Sequence, residues 1–162
     1  MARRVFFSFH YERDIWRANV VRKSWITKDR IDAGFFDASL WEKAKTKGKE
    51  ALKKLVRDGL KNTSVTVVLI GAETSKRPCV DFEIMESCKE GKGLLGVYIH
   101  QIEDIEGDAD KKGVNPFSTI YTTKNGKKKY LSECYPVYDW VNDDGYNNIG
   151  TWIEDAAKDA GR

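Results

Sequence analysis

The stretch Ser64–Lys89, SVTVVLIGAETSKRPCVDFEIMESCK, holds the carboxylate with the most chemical promise, Glu83. An apolar run, Val65–Ile70, breaks at Gly71, a polar loop follows from Ala72 to Pro78, and a helix is expected from about Cys79. Pro78 suits the start of that helix, where a fixed φ is compatible and a missing N–H costs nothing. This order puts Glu83 in the first turns of a helix that leaves the C-terminal end of a strand. A second apolar run near the N-terminus ends in Ser8-Phe9-His10-Tyr11. A carboxylate facing hydroxyls and aromatic rings in a crevice can stabilise an oxocarbenium-like transition state without a metal. Taken by itself, a helical glutamate such as Glu83 is more often solvated; Glu86, three residues on, lies on a nearby but distinct part of the helix face.

Other chemistries lack their residues. Neither a dinucleotide fingerprint nor a P-loop is read in the chain, and the two histidines, His10 and His100, do not form an HExxH. A Ser-His-Asp triad has no strand-turn-helix nucleophile signature. A phosphoacceptor site would want acidic residues where Ser8-Phe9-His10 and Gly71-Ala72-Glu73 stand. The 162 residues suit one domain, with 41% hydrophobic and 33% charged residues and a formal charge of +3. No apolar run approaches the ~20 residues that span a bilayer, so no membrane association is expected. Cys79, Cys88 and Cys134 are an odd number without metal-ligand spacing, which points to a reduced, cytoplasmic protein with no metal. The lysines of Lys43–Lys54 and Lys124–Lys129 read as a solvated helix face and a loop tip; without interleaved aromatics they do not imply nucleic acid.

The elements that must position Glu83 follow from periodicity. Val5–Phe9 reads as strand 1. Tyr11–Trp25 reads as helix 1, with Ile15, Ala18, Val21 and Trp25 facing inward and Trp16 and Val20 widening the stripe. Gly34-Phe35-Phe36-Asp37 fits either a short second strand or a structured loop. Trp41–Leu60 is a basic helix with Gly48 as the place for a break and Ala51, Leu52, Leu55, Val56 and Leu60 as its apolar face. Leu94–Ile99 is the next strand, Glu103–Gly113 a surface loop, and Asn115–Ser132 irregular with a turn at Asn125-Gly126. Val137–Trp140 is a short last strand, and Asn147 or Asn148 is expected to cap a final helix with Ile149, Trp152, Ile153 and Ala156 inward. Strands alternating with helices, two of them apolar throughout, predict a three-layer α/β/α domain: a flavodoxin-like, doubly wound parallel sheet of order 2-1-3-4-5. The crevice then opens at the C-terminal ends of strands 1 and 3, next to Glu83.

Two segments carry a resemblance. Arg4-Val5-Phe6-Phe7-Ser8-Phe9-His10-Tyr11 looks like the first strand and first box of TIR domains. Asn62–Gly71 followed by Cys79-Val80-Asp81-Phe82-Glu83-Ile84 resembles the TIR-like proteins of the bacterial Thoeris anti-phage system, which often carry Trp-Val-x-x-Glu-Ile here. Cys79 departs from that pattern at the Trp position. The resemblance implies a single TIR-like domain over residues 1–162, with Glu83 catalytic in cleaving NAD between nicotinamide and ribose. NAD is then substrate and no cofactor is implied. It also implies a cyclic ADP-ribose isomer as product, a separate effector protein that this product activates, and room for a phage-derived trigger and a homo-oligomer. Ser8, His10, Tyr11, Arg13, Phe36, Asp37 and Ser75 are the NAD-pocket candidates. Ser8 and Ser75 could instead satisfy loop backbone, and Arg13 could be a solvated helix residue. The competing reading is a non-catalytic TIR-like adaptor acting through self-association, which would have no need of Glu83.

Overall fold

In the computed structural model residues 3–26, 31–34 and 38–162 are described, with side chains for 3–25 and 40–162. In chain order the elements are β1 (Arg4–Ser8), α1 (Tyr11–Ile26), β2 (Ile31–Gly34), α2 (Ala38–Thr46), α3 (Lys49–Leu60), β3 (Val65–Ile70) and α4 (Pro78–Lys89). After these come β4 (Gly93–Tyr98), β5 (Tyr121–Lys124), β6 (Lys127–Tyr130), β7 (Val137–Asp139) and α5 (Gly145–Asp159). The main sheet is parallel throughout and has the order β2-β1-β3-β4-β7. This is the expected 2-1-3-4-5 order, with β1 and β3 adjacent and paired from Val5↔Val65 to Ser8↔Val68.

The period of two along β1 and β3 sorts their side chains between two helical layers. Val5, Phe7, Phe9, Val65, Val67 and Leu69 pack with α1 and α5 on one face. On the other face Phe6 meets Trp41 of α2 and Val56 and Leu60 of α3, while Val68 and Ile70 meet Val80 and Ile84 of α4. Every residue of β3 is buried, because both faces of this central strand are covered.

Several boundaries differ from expectation for identifiable reasons. Gly48 takes φ +104° and separates α2 from α3 at the place foreseen. The second strand is Ile31–Gly34, paired with β1; of the stretch Gly34–Asp37, read as a strand or a structured loop, residues 35–37 lie outside the described residues. Trp16 and Val20 do not widen the buried stripe of α1: they are 49% and 38% exposed. The inward positions are taken instead by Asp14 and Arg17 alongside Ala18 and Val21. Asn147 and Asn148 do not cap α5. The N-cap is Asp144, at φ 52°, and Gly145 opens the helix because it lies too close under the Trp140 ring for any side chain. The Asn147 amide donates back to Asp144 Oδ2 at 2.8 Å. Asn125-Gly126, both at positive φ, closes a real hairpin, β5–β6. Its strands are exposed on both sides, so no burial pattern marked them in the sequence.

Gly91-Lys92-Gly93-Leu94-Leu95-Gly96 does have GxGxxG spacing, contrary to the reading above. It runs from the end of α4 into β4, whereas a pyrophosphate site needs a strand leading into a helix N-terminus. Its glycines serve packing: a Cβ on Gly93 would sit 2.7 Å from the Ala156 carbonyl oxygen of α5. Gly93→Ala is therefore expected to lose about 1–3 kcal/mol of stability by prying α5 from the sheet. Urea denaturation at pH 7 measures this, and an unchanged midpoint would show that α5 seats without the close approach.

Candidate active site

Glu83 lies on the face of α4 turned to the sheet and is 4% exposed. Two hydroxyls fix the helix there. The Ser87 hydroxyl donates to the Glu83 carbonyl oxygen at 2.7 Å and shares a 2.8 Å hydrogen bond with Thr66 of β3. Ser8, at the end of β1, is on the α4 face because it is two residues beyond Phe6. Its hydroxyl donates to Glu83 Oε1 at 3.4 Å, the long end of the hydrogen-bond range. Burial dominates the electrostatics and pushes the Glu83 pKa well above the ordinary carboxylate range; the Ser8 hydrogen bond offsets only part. Burial thus favours the protonated carboxyl over the carboxylate in the free protein.

The other expected residues take up different positions. His10 is buried, and its Nδ1 accepts the backbone N–H of Arg13 at 3.3 Å, so it caps α1. Burial, followed by the nearby charge of Arg77, lowers the His10 pKa and favours the neutral ring. Tyr11 packs with the α1–α5 core and stacks on Phe9 at 6.4 Å. Arg13 is bound to Asp110 at 3.1 Å and lies 3.6 Å from Glu73. Ser75 sits half-buried in a short turn, Thr74–Lys76, between β3 and α4. Phe36 and Asp37 lie outside the described residues. Cys79 is partly buried and free, packed with Trp41 and Phe82, whose rings meet edge-on at 5.8 Å. Those two rings supply aromatic bulk beside the position where the resemblance led one to expect Trp.

Glu86, on a neighbouring part of the helix face, is also buried and lies 3.6 Å from Arg57 and 3.7 Å from Lys89. Helix α3 covers that side of α4, which no periodicity within α4 could disclose. Among the described residues no group of three or more His, Cys, Asp or Glu is placed to hold a metal ion.

Three more charged residues, Asp14, Arg17 and Arg77, stand at this end of the sheet. Asp14 is fully buried and presses on Gly71, where any Cβ would strike it. Burial raises its pKa to about 6, Asp110 adds to the shift, and Arg17 and Arg13 partly offset it. Arg17 donates to the carbonyls of Ile102 at 2.7 Å and Asp108 at 2.9 Å, holding the loop after β4 against α1. Arg77 is the N-cap residue of α4. The one signal available in the sequence was the i, i+3 spacing of Asp14 and Arg17 on the inward face of α1.

A five-stranded parallel sheet in this order, with a buried acid on the helix after β3 facing the end of β1, defines a TIR-like α/β domain. The chain belongs to the family described as "Thoeris protein ThsB, TIR-like domain", whose model matches residues 6–104. It is also similar to a protein of Bacillus cereus (strain MSX-D12) named "Putative cyclic ADP-D-ribose synthase ThsB1". The two are 42% identical over 191 aligned residues, covering 94% of this chain and 100% of the relative.

The raised pKa values bear on stability with a definite sign. A carboxyl whose folded-state pKa is raised favours the folded state fully below its unfolded pKa, and that contribution is lost as pH rises through the folded value. For Asp14 the window runs from 3.8 to about 6 and the loss is about 3 kcal/mol at most. Asp14→Asn is expected to flatten this decline, leaving the variant more stable than wild type at pH 8 but not at pH 3.5. Glu83→Gln should show the same sign, with its window opening at 4.5 and extending upward. Denaturant midpoints across pH 3.5–8 test both variants; pH profiles parallel to wild type would mean that neither carboxyl is held neutral in the folded protein.

Proposed function

We propose that this protein is an NAD-cleaving enzyme of Thoeris anti-phage defence that releases nicotinamide and a cyclic ADP-ribose isomer, with Glu83 as the catalytic carboxylate. The observation that carries the proposal is the burial of Glu83 against Ser8. Burying a carboxylate with one long hydrogen bond costs stability. An adaptor working through its surface gains nothing from that cost, whereas an enzyme that must meet developing positive charge in a dry site does. The relative named as a cyclic ADP-D-ribose synthase, similar over nearly the whole chain, supports the same activity.

The chemistry follows from the charges. The nicotinamide of NAD is a cationic pyridinium. Brought next to Glu83, it stabilises the carboxylate and so opposes the effect of burial, which favours the protonated form. The glycosidic C1′–N bond then breaks, its electron pair leaves with neutral nicotinamide, and positive charge spreads over C1′ and the ring oxygen. Glu83 opposes that charge, and Ser8 orients the carboxylate. Attack on C1′ by the adenine or a ribose hydroxyl of the same molecule closes the ring, a hydroxyl nucleophile releasing a proton. Water exclusion favours this internal attack over hydrolysis. The product acts on a separate effector protein, and a phage-derived trigger and self-association are the controls in keeping with this function.

Glu83→Gln is expected to reduce nicotinamide release by at least ~100-fold, the scale of one lost transition-state electrostatic contact. Glu90→Gln, at an exposed position, should stay within a few-fold of wild type. Purified wild type and variants are compared by chromatographic quantification of nicotinamide; a fully active Glu83→Gln removes the carboxylate from the mechanism. In wild type, kcat/KM for NAD should rise with pH above the ordinary carboxylate range as Glu83 of the free enzyme ionises. A rate that declines over that range would contradict the required ionisation.

A further inference from the structure

We propose that Thr66 and Ser87 are positioning residues for NAD cleavage, setting the place of the Glu83 carboxyl along the sheet; this rests on the NAD-cleaving reading above. β3 reads Val-Thr-Val-Val-Leu-Ile, and Thr66 is the polar residue of an otherwise apolar strand. It is fully buried, as is Ser87 of α4. An apolar pair would fill this space and suit the strand and the helix equally well, with no hydroxyls to desolvate. What a hydroxyl pair adds is direction. Val80 and Ile84 hold α4 against Val68 and Ile70 through apolar contacts, which are non-directional.

The hydrogen bonds form a directed chain. The Ser87 hydroxyl donates its one proton to the Glu83 carbonyl oxygen at 2.7 Å, because a carbonyl can only accept. In the 2.8 Å bond between the two hydroxyls Thr66 is therefore the donor. The chain runs from β3 through Ser87 to the backbone of Glu83 itself. That carbonyl also belongs to the i→i−4 ladder of the helix, so the hydroxyls are additional to what the helix requires.

Strand register shows what the chain sets. Ser8 pairs with Val68 and Phe6 with Thr66, so the Glu83–Ser8 contact lies two residues further along the sheet than the Ser87–Thr66 contact. Two strand residues span about 6.6 Å. Glu83 and Ser87 are four residues apart, about 6 Å of helix. The two contacts are thus commensurate: with Thr66 holding Ser87, Glu83 is brought level with Ser8. The carboxyl meets Ser8 at 3.4 Å, too weak a bond to hold the helix by itself. A shift of about 1 Å is what the chain prevents, and a misplacement of that size is enough to cost ~100-fold in rate.

The test is the double variant Thr66→Val/Ser87→Ala. Removing both hydroxyls leaves neither without a partner, so the denaturation midpoint is expected to stay near that of wild type. Nicotinamide release is expected to fall at least ~10-fold in kcat, with KM for NAD within about threefold of wild type. Thr66→Ser keeps the hydroxyl and should retain kcat within about threefold. Thr63→Val removes another buried hydroxyl, which donates to the Leu60 carbonyl oxygen at 2.6 Å at the end of α3, and should lower stability without changing kcat. A carbon-13 NMR titration of the Glu83 carboxyl reads the same placement without turnover. Burial is the main cause of its raised pKa, so in the double variant, with α4 free to shift, it should titrate closer to the ordinary value of 4.5. If the double variant does not fold, Ser87→Ala alone is read by the same two measurements. The inference is overturned if the double variant keeps wild-type kcat, if Glu83 titrates in it as in wild type, or if Thr66→Ser or Thr63→Val loses as much kcat. Wild type that releases no nicotinamide, while the double variant shifts the Glu83 titration, would overturn the catalytic reading and leave the carboxyl placed by Thr66 and Ser87.

Discussion

The contact between the Glu83 carboxylate and the end of β1 is the constraint on which the rest of the arrangement depends. A carboxyl can be held in a dry crevice only if its helix is clamped firmly enough to resist the drive to solvate it. The clamp has two parts. Val80 and Ile84 bury against Val68 and Ile70 of β3, and Ser87 ties the Glu83 carbonyl to Thr66. Helix α3 then closes the outer side through Arg57 and Glu86. Each part is ordinary packing, but together they leave the carboxyl a single long hydrogen bond, and its raised pKa follows.

The opposite wall of the crevice is built from charge. The N-terminal half of α1 turns Asp14 and Arg17 inward where an amphipathic helix would place apolar residues. Arg17 and Arg13 draw in the loop that follows β4 through its carbonyls and through Asp104 and Asp110. Gly113 of that loop lies against the carbonyls of Gly71 and Ala72, so the loop forms a border of the site and does more than join strands. Asp14 is the member of this wall whose charge burial most opposes.

The two walls divide the work that an NAD-cleaving site requires. The α4 side offers the carboxylate. The α1 side offers shape and closure, with its arginines already committed. That division separates residues whose loss should alter chemistry or binding from residues whose loss should first alter stability.

Much of this was legible in the sequence. The all-apolar Val65–Ile70 run could only be a strand covered on both faces, and the alternation of strands and helices led to the observed sheet order. Pro78 and the apolar positions Val80 and Ile84 located α4, and with it the level of Glu83 along the sheet. What stayed hidden depended on neighbours distant in the chain. The burial of Glu86 depends on α3 lying over α4, and Trp16 reads as core until Asp14 and Arg17 take the inward face. The β5–β6 hairpin has no buried face to imprint a period, so only its Asn125-Gly126 turn was visible. Local periodicity reports the burial an element expects from its own side chains. Whether a charged group is covered, and by which partner, is decided when elements far apart in sequence meet, and in this protein that meeting buries Glu83 against Ser8.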